Sequence, residues 1–308
     1  MEQPRVAVIG TIFVDCKGFA QSNYNPFGRN LGSIQFVHGG VGRNVAVNLA
    51  NLSIPTFFVS TVDDSALGKE VKCNLLKANI DLTYLASAAN NGMGMWLAVL
   101  DENGNLAGSI SQMPDLDLLE RTIAEKGREI MKAASHVVLE LDLNESISRK
   151  AIEMAQESRR RVYGIPGNLD VILKNRDLLT YLDCFICNDI EAGRLLDQDL
   201  SGLEIGALRE ILIEYTLKTG LASMVITLGS RGSVYYDSRT HEKGYQPAFE
   251  IDIVDTSGAG DAFFSGTVAG LIKNRPLNEA VVHGTRVASW TIQQTENTCS
   301  PLCFTANA

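Results

Sequence analysis

No run of apolar residues in this 308-residue chain reaches the length of about 18 that a membrane-spanning helix requires. The opening Met1-Glu2-Gln3-Pro4-Arg5 passes straight into a strand pattern, without the apolar core of a signal peptide. Both absences lead to the expectation of a cytoplasmic protein with no membrane partner. Histidine is scarce, and His38, His136, His241 and His283 share no ligand spacing, so no histidine-bound metal is expected. The cysteines (Cys16, Cys73, Cys184, Cys187, Cys299 and Cys303) are scattered through a chain too large to need disulfide staples. One pair, Cys184-Phe185-Ile186-Cys187, has redox or zinc spacing but lies in a strand pattern. Residues three apart on a strand point to opposite faces, so two separate buried thiols are expected. Positive charge is also short: 27 Lys and Arg against 36 Asp and Glu give a net charge of -9. That balance argues against a nucleic acid polymer as partner. A nucleotide stays compatible, because a local nest of amides binds phosphate even on an acidic protein. The first strand is not followed by Gly-x-Gly-x-x-Gly, which removes the usual dinucleotide reading, and no Gly-Lys-Ser/Thr P-loop occurs. No linker, low-complexity tract or internal repeat is found.

What is present is an ordinary globular composition, 45% apolar and 20% charged, arranged as alternating strand and helix patterns. Val6-Ala7-Val8-Ile9-Gly10 is a continuous apolar run, as a central parallel strand requires. Further strands are expected at 57–62, 136–142, 162–166, 182–187 and 249–254, with a strand, glycine turn and strand over 222–236. Helices are expected from about 66 to 78, 118 to 134, 145 to 161 and 262 to 273. Two strand-rich stretches, about 15–37 and 93–111, interrupt this alternation and suggest a small β-lid. The second carries an Asn-Gly hairpin turn at Asn103-Gly104.

Two glycine turns open helices. His38-Gly39-Gly40-Val41-Gly42-Arg43-Asn44 precedes a helix in which Val45, Leu49 and Leu52 recur at helical spacing. Asp255-Thr256-Ser257-Gly258-Ala259-Gly260-Asp261 precedes another. Its amides converge at the positive end of a helix dipole and can hold an anion, with Asp261 beside it. Helix capping by Asp255 or Asp261 is the plainer alternative. Asn188-Asp189-Ile190-Glu191 at a strand exit likewise has the spacing of a capping box.

The string from Asp255 to Gly266 resembles the C-terminal signature of the ribokinase, or PfkB-type, carbohydrate kinase family. Gly39 to Asn44, Asn188 to Glu191 and Thr227-Leu228-Gly229-Ser230-Arg231-Gly232 resemble that family's other motifs in order, over nearly the whole chain. The resemblance implies one domain over 1–308, with a three-layer α/β ribokinase-like fold, a mostly parallel central sheet and a β-lid from about 15–37 and 93–111. It implies ATP-dependent phosphorylation of a hydroxymethyl group on a sugar or nucleoside. Asp261 would be the base, and Gly258, Ala259 and Gly260 would hold the transferring group. Asp15, Gly39, Gly40, Arg43, Asn44, Asp142 and Asp255 would meet the substrate. Asn188, Thr227, Gly229, Gly232, Ser257, Gly258 and Gly260 would meet ATP. Glu191 and Asn188 would hold Mg2+ through water. Gly39-Gly40-Val41-Gly42-Arg43-Asn44 resembles the pseudouridine kinase branch most, which makes pseudouridine the first substrate candidate. Met95 and Trp96 would offer the base an apolar wall, unless they only pack. Ribokinase, fructokinase or another sugar kinase is the alternative, and a catalytically silent sugar- or nucleotide-binding protein is the alternative of another class. Relatives carry glycine in the potassium-binding stretch. This chain has none from Thr285 to Ala308, which speaks against a monovalent cation (K+). Ile165 stands where relatives often carry an acidic residue. Lids of this family pair between subunits, so a homodimer through the lid is expected.

Overall fold

The computed structural model describes residues 3–301 except Asp142 and Asn168. In chain order the strands are β1 (Val6–Ile9), β2 (Phe13–Ala20), β3 (Gly32–Gly39), β4 (Thr56–Asp63), β5 (Leu85–Ala88), β6 (Gly94–Leu100) and β7 (Leu106–Gln112). They continue as β8 (His136–Glu140), β9 (Arg161–Ile165), β10 (Cys184–Asn188), β11 (Ser223–Thr227), β12 (Ser233–Asp237) and β13 (Glu242–Gln246). The helices are α1 (Val41–Asn51), α2 (Ala66–Lys77), α3 (Asp117–Ala133), α4 (Glu145–Glu157), α5 (Asp170–Lys174), α6 (Asp189–Leu196), α7 (Ile205–Thr219), α8 (Ala259–Ile272) and α9 (Leu277–Ile292).

Nine strands form one sheet in the order β13-β12-β11-β10-β9-β8-β1-β4-β5. Its pairings are parallel from β5 to β11, and β12 runs antiparallel to both its neighbours. The apolar run of β1 is explained by burial on both faces. Ala7 and Ile9 pack with Leu119 and Ile123 of α3 and with Ile147 of α4. Val6 and Val8 pack with Val45 and Leu49 of α1 and Phe264 and Val268 of α8. Each such Val, Leu, Ile or Phe side chain contributes about 1.5–3 kcal/mol relative to exposure. Cys184 and Cys187 enter opposite cores, both as free thiols, as the strand period demands. From β1 the chain first builds β4 and β5 on one side, then returns to build β8 onward on the other. The carboxyl ends of β1 and β8 are therefore the switch point, where open α/β sheets bind ligands.

A second sheet has the order β3-β2-β6-β7. Register gives it two distinct faces. Asp15 pairs with Val37 and Trp96, and Trp96 pairs with Ser111, so these four share one face. Cys16, Phe36, Leu97 and Ile110 share the other. There Phe36 is 55% exposed, Leu97 41% and Ile110 69%.

The strand expected at 249–254 is absent. Pro247 lacks an N–H and ends the ladder after β13, and the chain leaves the sheet. The amides of Val254 and Asp255 instead donate to the Ile292 carbonyl at the end of α9, at 2.8 and 3.2 Å. The helix expected to reach Arg161 stops at Glu157. Arg159 then takes a left-handed φ of 53°, and Arg161 begins β9. Among the described residues no helix is long and apolar enough to cross a membrane.

Candidate active site

The site forms around the carboxyl end of β1. Gly40, at φ 96°, ends the small sheet and precedes α1. A Cβ on Gly42 would stand 2.6 Å from the Gly10 Cα, so glycine lets α1 press against the β1 exit. The buried Glu140, last residue of β8, stitches this turn together. Its carboxylate accepts from the Thr11 amide at 2.8 Å, the Thr11 hydroxyl at 3.0 Å and the Gly42 amide at 3.1 Å. Glu140 is a site residue that sequence reasoning passed over. An acid closing an apolar strand was the available signal, and Asp142 was preferred to it. Asp142 lies outside the described residues.

The first turn of α1 meets the first turn of α8. Asn44 Nδ2 donates to Asp261 Oδ2 at 2.8 Å. Burial pushes the Asp261 carboxyl up to about 7, and the charges of Glu140 and Glu191 add to this. The Asn44 bond and the Arg43 charge oppose it. Arg43, expected to meet the substrate, has its guanidinium inside the protein. It is 8% exposed, and Nη1 donates to Asn44 Oδ1 at 2.9 Å, Asn297 Oδ1 at 3.1 Å and the His38 carbonyl at 3.2 Å. Burial lowers its pKa to about 10.

Gly258 caps α8 at φ 77°, and a Cβ there would lie 2.0 Å from the Asn297 carbonyl oxygen. Both facts demand glycine. The turn uses some of its own amides. Ser257 donates to Asp255 Oδ1 at 2.8 Å and Ala259 to the Thr256 carbonyl at 3.2 Å. The Gly258 and Gly260 amides at the positive end of the helix dipole remain to meet an anion. Gly260 is exposed, with open space where a Cβ would stand. The Ser257 amide holds the Asp255 carboxyl below its ordinary range, so Asp255 shapes the turn.

Asp15 stands on the small sheet, and a Cβ on Gly39 would lie 3.2 Å from its Oδ2. Burial raises the Asp15 carboxyl, against the nearby charge of Lys17. The charge of Lys17, two residues from Asp15 on the same strand, also lowers Asp255. On the other side of the site, Asn188 and Thr227 are register partners at the carboxyl ends of β10 and β11. Asn188 and Glu191 do form the capping box: Asn188 Oδ1 accepts from the Glu191 amide and Glu191 Oε2 from the Asn188 amide, each at 2.8 Å. Gly229, at φ 57°, opens the turn after β11 with free space around it. Gly232 is enclosed, since a Cβ there would lie 2.1 Å from the Gln246 carbonyl oxygen of β13.

Comparison with known proteins gives four findings. A family model described as pfkB family carbohydrate kinase matches residues 3–302. The guanosine-inosine kinase of Exiguobacterium acetylicum is 36% identical over 299 residues, covering 96% of this chain and 97% of that protein. The pseudouridine kinase of Escherichia coli is 25% identical over 280 residues, covering 91% of this chain and 88% of its own. Among solved structures, Arabidopsis thaliana ribokinase complexed with ribose and ATP superposes with a TM-score of 0.83. It covers 98% of this chain and 97% of its own at 21% identity, a likeness of fold.

Proposed function

The chain belongs to the pfkB family of carbohydrate kinases, and from that premise we propose that it transfers the γ-phosphoryl group of ATP to the 5′-hydroxyl of a purine ribonucleoside. Membership makes it a phosphotransferase acting on a hydroxyl group. The observation that carries the chemistry is Asp261 beside the glycine turn of α8, bonded to Asn44. Asp261 takes the proton of the acceptor hydroxyl. The oxygen forms its bond to the γ-phosphorus while the bond to the bridging oxygen breaks, and ADP leaves. The amides of Gly258 and Gly260 face the charge that moves.

The nucleoside reading is supported by the pairing of Asp15 with Trp96 on one sheet face, a carboxylate for ribose hydroxyls beside an indole for a base. The higher identity to a guanosine-inosine kinase favours guanosine or inosine. The Gly39–Asn44 motif favours pseudouridine, the second reading. Measured as kcat/KM with ATP, guanosine or inosine should lead pseudouridine, uridine, adenosine, ribose and fructose by at least about tenfold, roughly 1.4 kcal/mol. A lead by pseudouridine establishes the second reading, and a lead by a free sugar ends the nucleoside proposal. No ATP consumption with any acceptor points to a silent binding protein.

Magnesium fits the donors at the β10 exit, which are hard oxygens of one carboxylate and one amide. Among the described residues no cluster of three metal-ligating side chains forms. That suits an ion kept mostly by phosphate and water. Glu191, with Asn188, would hold it, and the ion would neutralise phosphate charge. Glu191→Gln should raise the magnesium concentration needed for half-maximal rate. An unchanged requirement leaves the pair as a helix cap alone.

The apolar face of the small sheet fits a second copy of this chain, with the small sheets acting as lids over the two sites. The chain should sediment as a dimer, and Phe36→Lys with Ile110→Lys should make it monomeric. A wild-type monomer at micromolar concentration would end this proposal.

A further inference from the structure

Asn297 stands in no motif, yet its side chain sits at the end of a chain of hydrogen bonds that reaches the catalytic carboxylate. The chain begins at a group that cannot turn over, the His38 backbone carbonyl. Asn297 Nδ2 donates to it at 2.8 Å, which leaves Asn297 Oδ1 facing Arg43. A guanidinium only donates. Arg43 Nη1 therefore bonds Asn297 Oδ1 at 3.1 Å and Asn44 Oδ1 at 2.9 Å. With Oδ1 claimed by Arg43, the Asn44 amide has one orientation left, and Nδ2 meets Asp261 Oδ2 at 2.8 Å. Reversing Asn44 would set its NH2 against a guanidinium and its oxygen against a carboxylate. We infer that Asn297 is a positioning residue that anchors the Arg43 guanidinium against Asn44 Oδ1 and so holds the Asn44 amide with Nδ2 toward the base.

The same residue borders the anion turn, because its backbone carbonyl occupies the space a Cβ on Gly258 would need. One loop residue after α9 thus joins the base of the small sheet, the start of α1 and the start of α8. Asn297 is 8% exposed, and Arg43 is buried beside it. A lost acceptor at Asn297 makes the guanidinium seek another partner. A guanidinium drawn off Asn44 Oδ1, toward the His38 carbonyl it already meets at 3.2 Å or the charge of Glu296, no longer holds the amide in place and carries its charge away from Asp261, and both changes favour the protonated acid. The charged groups around Asp261 are Glu140 at the end of β8, Glu191 in α6 and Arg43 in α1. Glu296, next to Asn297, faces Arg43 in turn. All of them keep their charge when Asn297 is replaced by an apolar side chain, so a shift at Asp261 then reports the loss of the Arg43–Asn44 arrangement.

The inference rests on the kinase reading for its consequence in turnover but not for its first readout. That readout is a carbon-13 NMR titration of the aspartate carboxyls in the substrate-free full chain, with Asp261 identified by the signal missing from Asp261→Asn. In Asn297→Leu the Asp261 midpoint should rise by at least about one pH unit, a tenfold change in its protonation equilibrium. The acid limb of kcat/KM should move by the same amount for whichever acceptor turns over, with the KM for ATP unchanged. A midpoint that stays put or falls in the folded variant overturns the inference. Asn297→Ala serves if circular dichroism shows that the leucine variant does not fold. In the wild type itself the side-chain amide protons of Asn44 and Asn297 should both shift with the Asp261 midpoint, and an Asn297 signal indifferent to that titration also overturns it. Absence of turnover with every acceptor defeats the kinase reading and leaves the titration result standing.

Discussion

Asp261→Asn should lower kcat by about two to four orders of magnitude, the usual worth of a positioned general base, while ATP still binds. Asparagine keeps the shape and an oxygen for Asn44 Nδ2, so the helix turn that presents the Gly258 and Gly260 amides should be unaltered. What it loses is the ability to take the hydroxyl proton. The same substitution should stabilise the protein. Burial raises the Asp261 carboxyl from 3.8 to about 7 in the folded state. A carboxyl raised on folding supports the folded state fully only below its unfolded pKa, and that support is lost as pH rises through the folded value. Above pH 7 the ionised group therefore costs about 4 kcal/mol, three units at 1.36 kcal/mol each. The advantage of the asparagine variant in Tm should open between about pH 4 and pH 7 and stay constant above. Near-native turnover by the variant would remove Asp261 from the base role.

Such a carboxylate, stable only as a compromise, shows why some of this site was legible in the chain and some was not. Local features were. Gly39 to Asn44 and Ser257 to Asp261 are turns whose geometry depends on glycine at fixed positions, so a short string carries them. The continuous apolar run of β1 reflects burial on both faces, which needs no knowledge of the neighbours. Cys184 and Cys187 separate because strand period alone decides it. Residues that act across long separations were not legible. Arg43 is expected from the family motif to meet the substrate, and only tertiary packing turns its guanidinium inward to Asn297. Glu140 gains its meaning from the amides of Thr11 and Gly42, which the sheet order brings beside it. The alternation at 249–254 has the period of a strand, but Pro247 and the end of α9 decide otherwise. Half-buried β13 has polar and charged residues with too little apolar contrast to announce itself. The Asn188–Glu191 pair shows a different limit: the cap is present in the structure, and a cap and an ion site use the same two side chains.

The pH dependence of kcat/KM should show a single acid limb set by Asp261. A general base is competent only when ionised, and burial, with the charges of Glu140 and Glu191, moves the ionisation of Asp261 to about 7. Below that pH the rate should fall about tenfold per unit, so activity at pH 5 should be about one hundredth of the plateau reached above pH 8. An ordinary carboxylate would keep its full rate over that interval, which makes the profile a direct reading of the site's burial. Asp15 is also raised by burial, but Lys17 opposes the shift, and under the proposed function protonating Asp15 would affect acceptor binding rather than proton transfer. The two contributions separate in kcat against kcat/KM, because kcat reports the ionisation of the substrate-bound enzyme. Asn44→Leu should move the limb to higher pH, because it removes the one hydrogen bond that favours the ionised form. Initial rates measured from pH 5 to 9 at fixed free magnesium and saturating ATP would check this. A flat profile from pH 5 to 8 would show that Asp261 ionises as an exposed aspartate does, and that the buried environment described for it does not hold in solution.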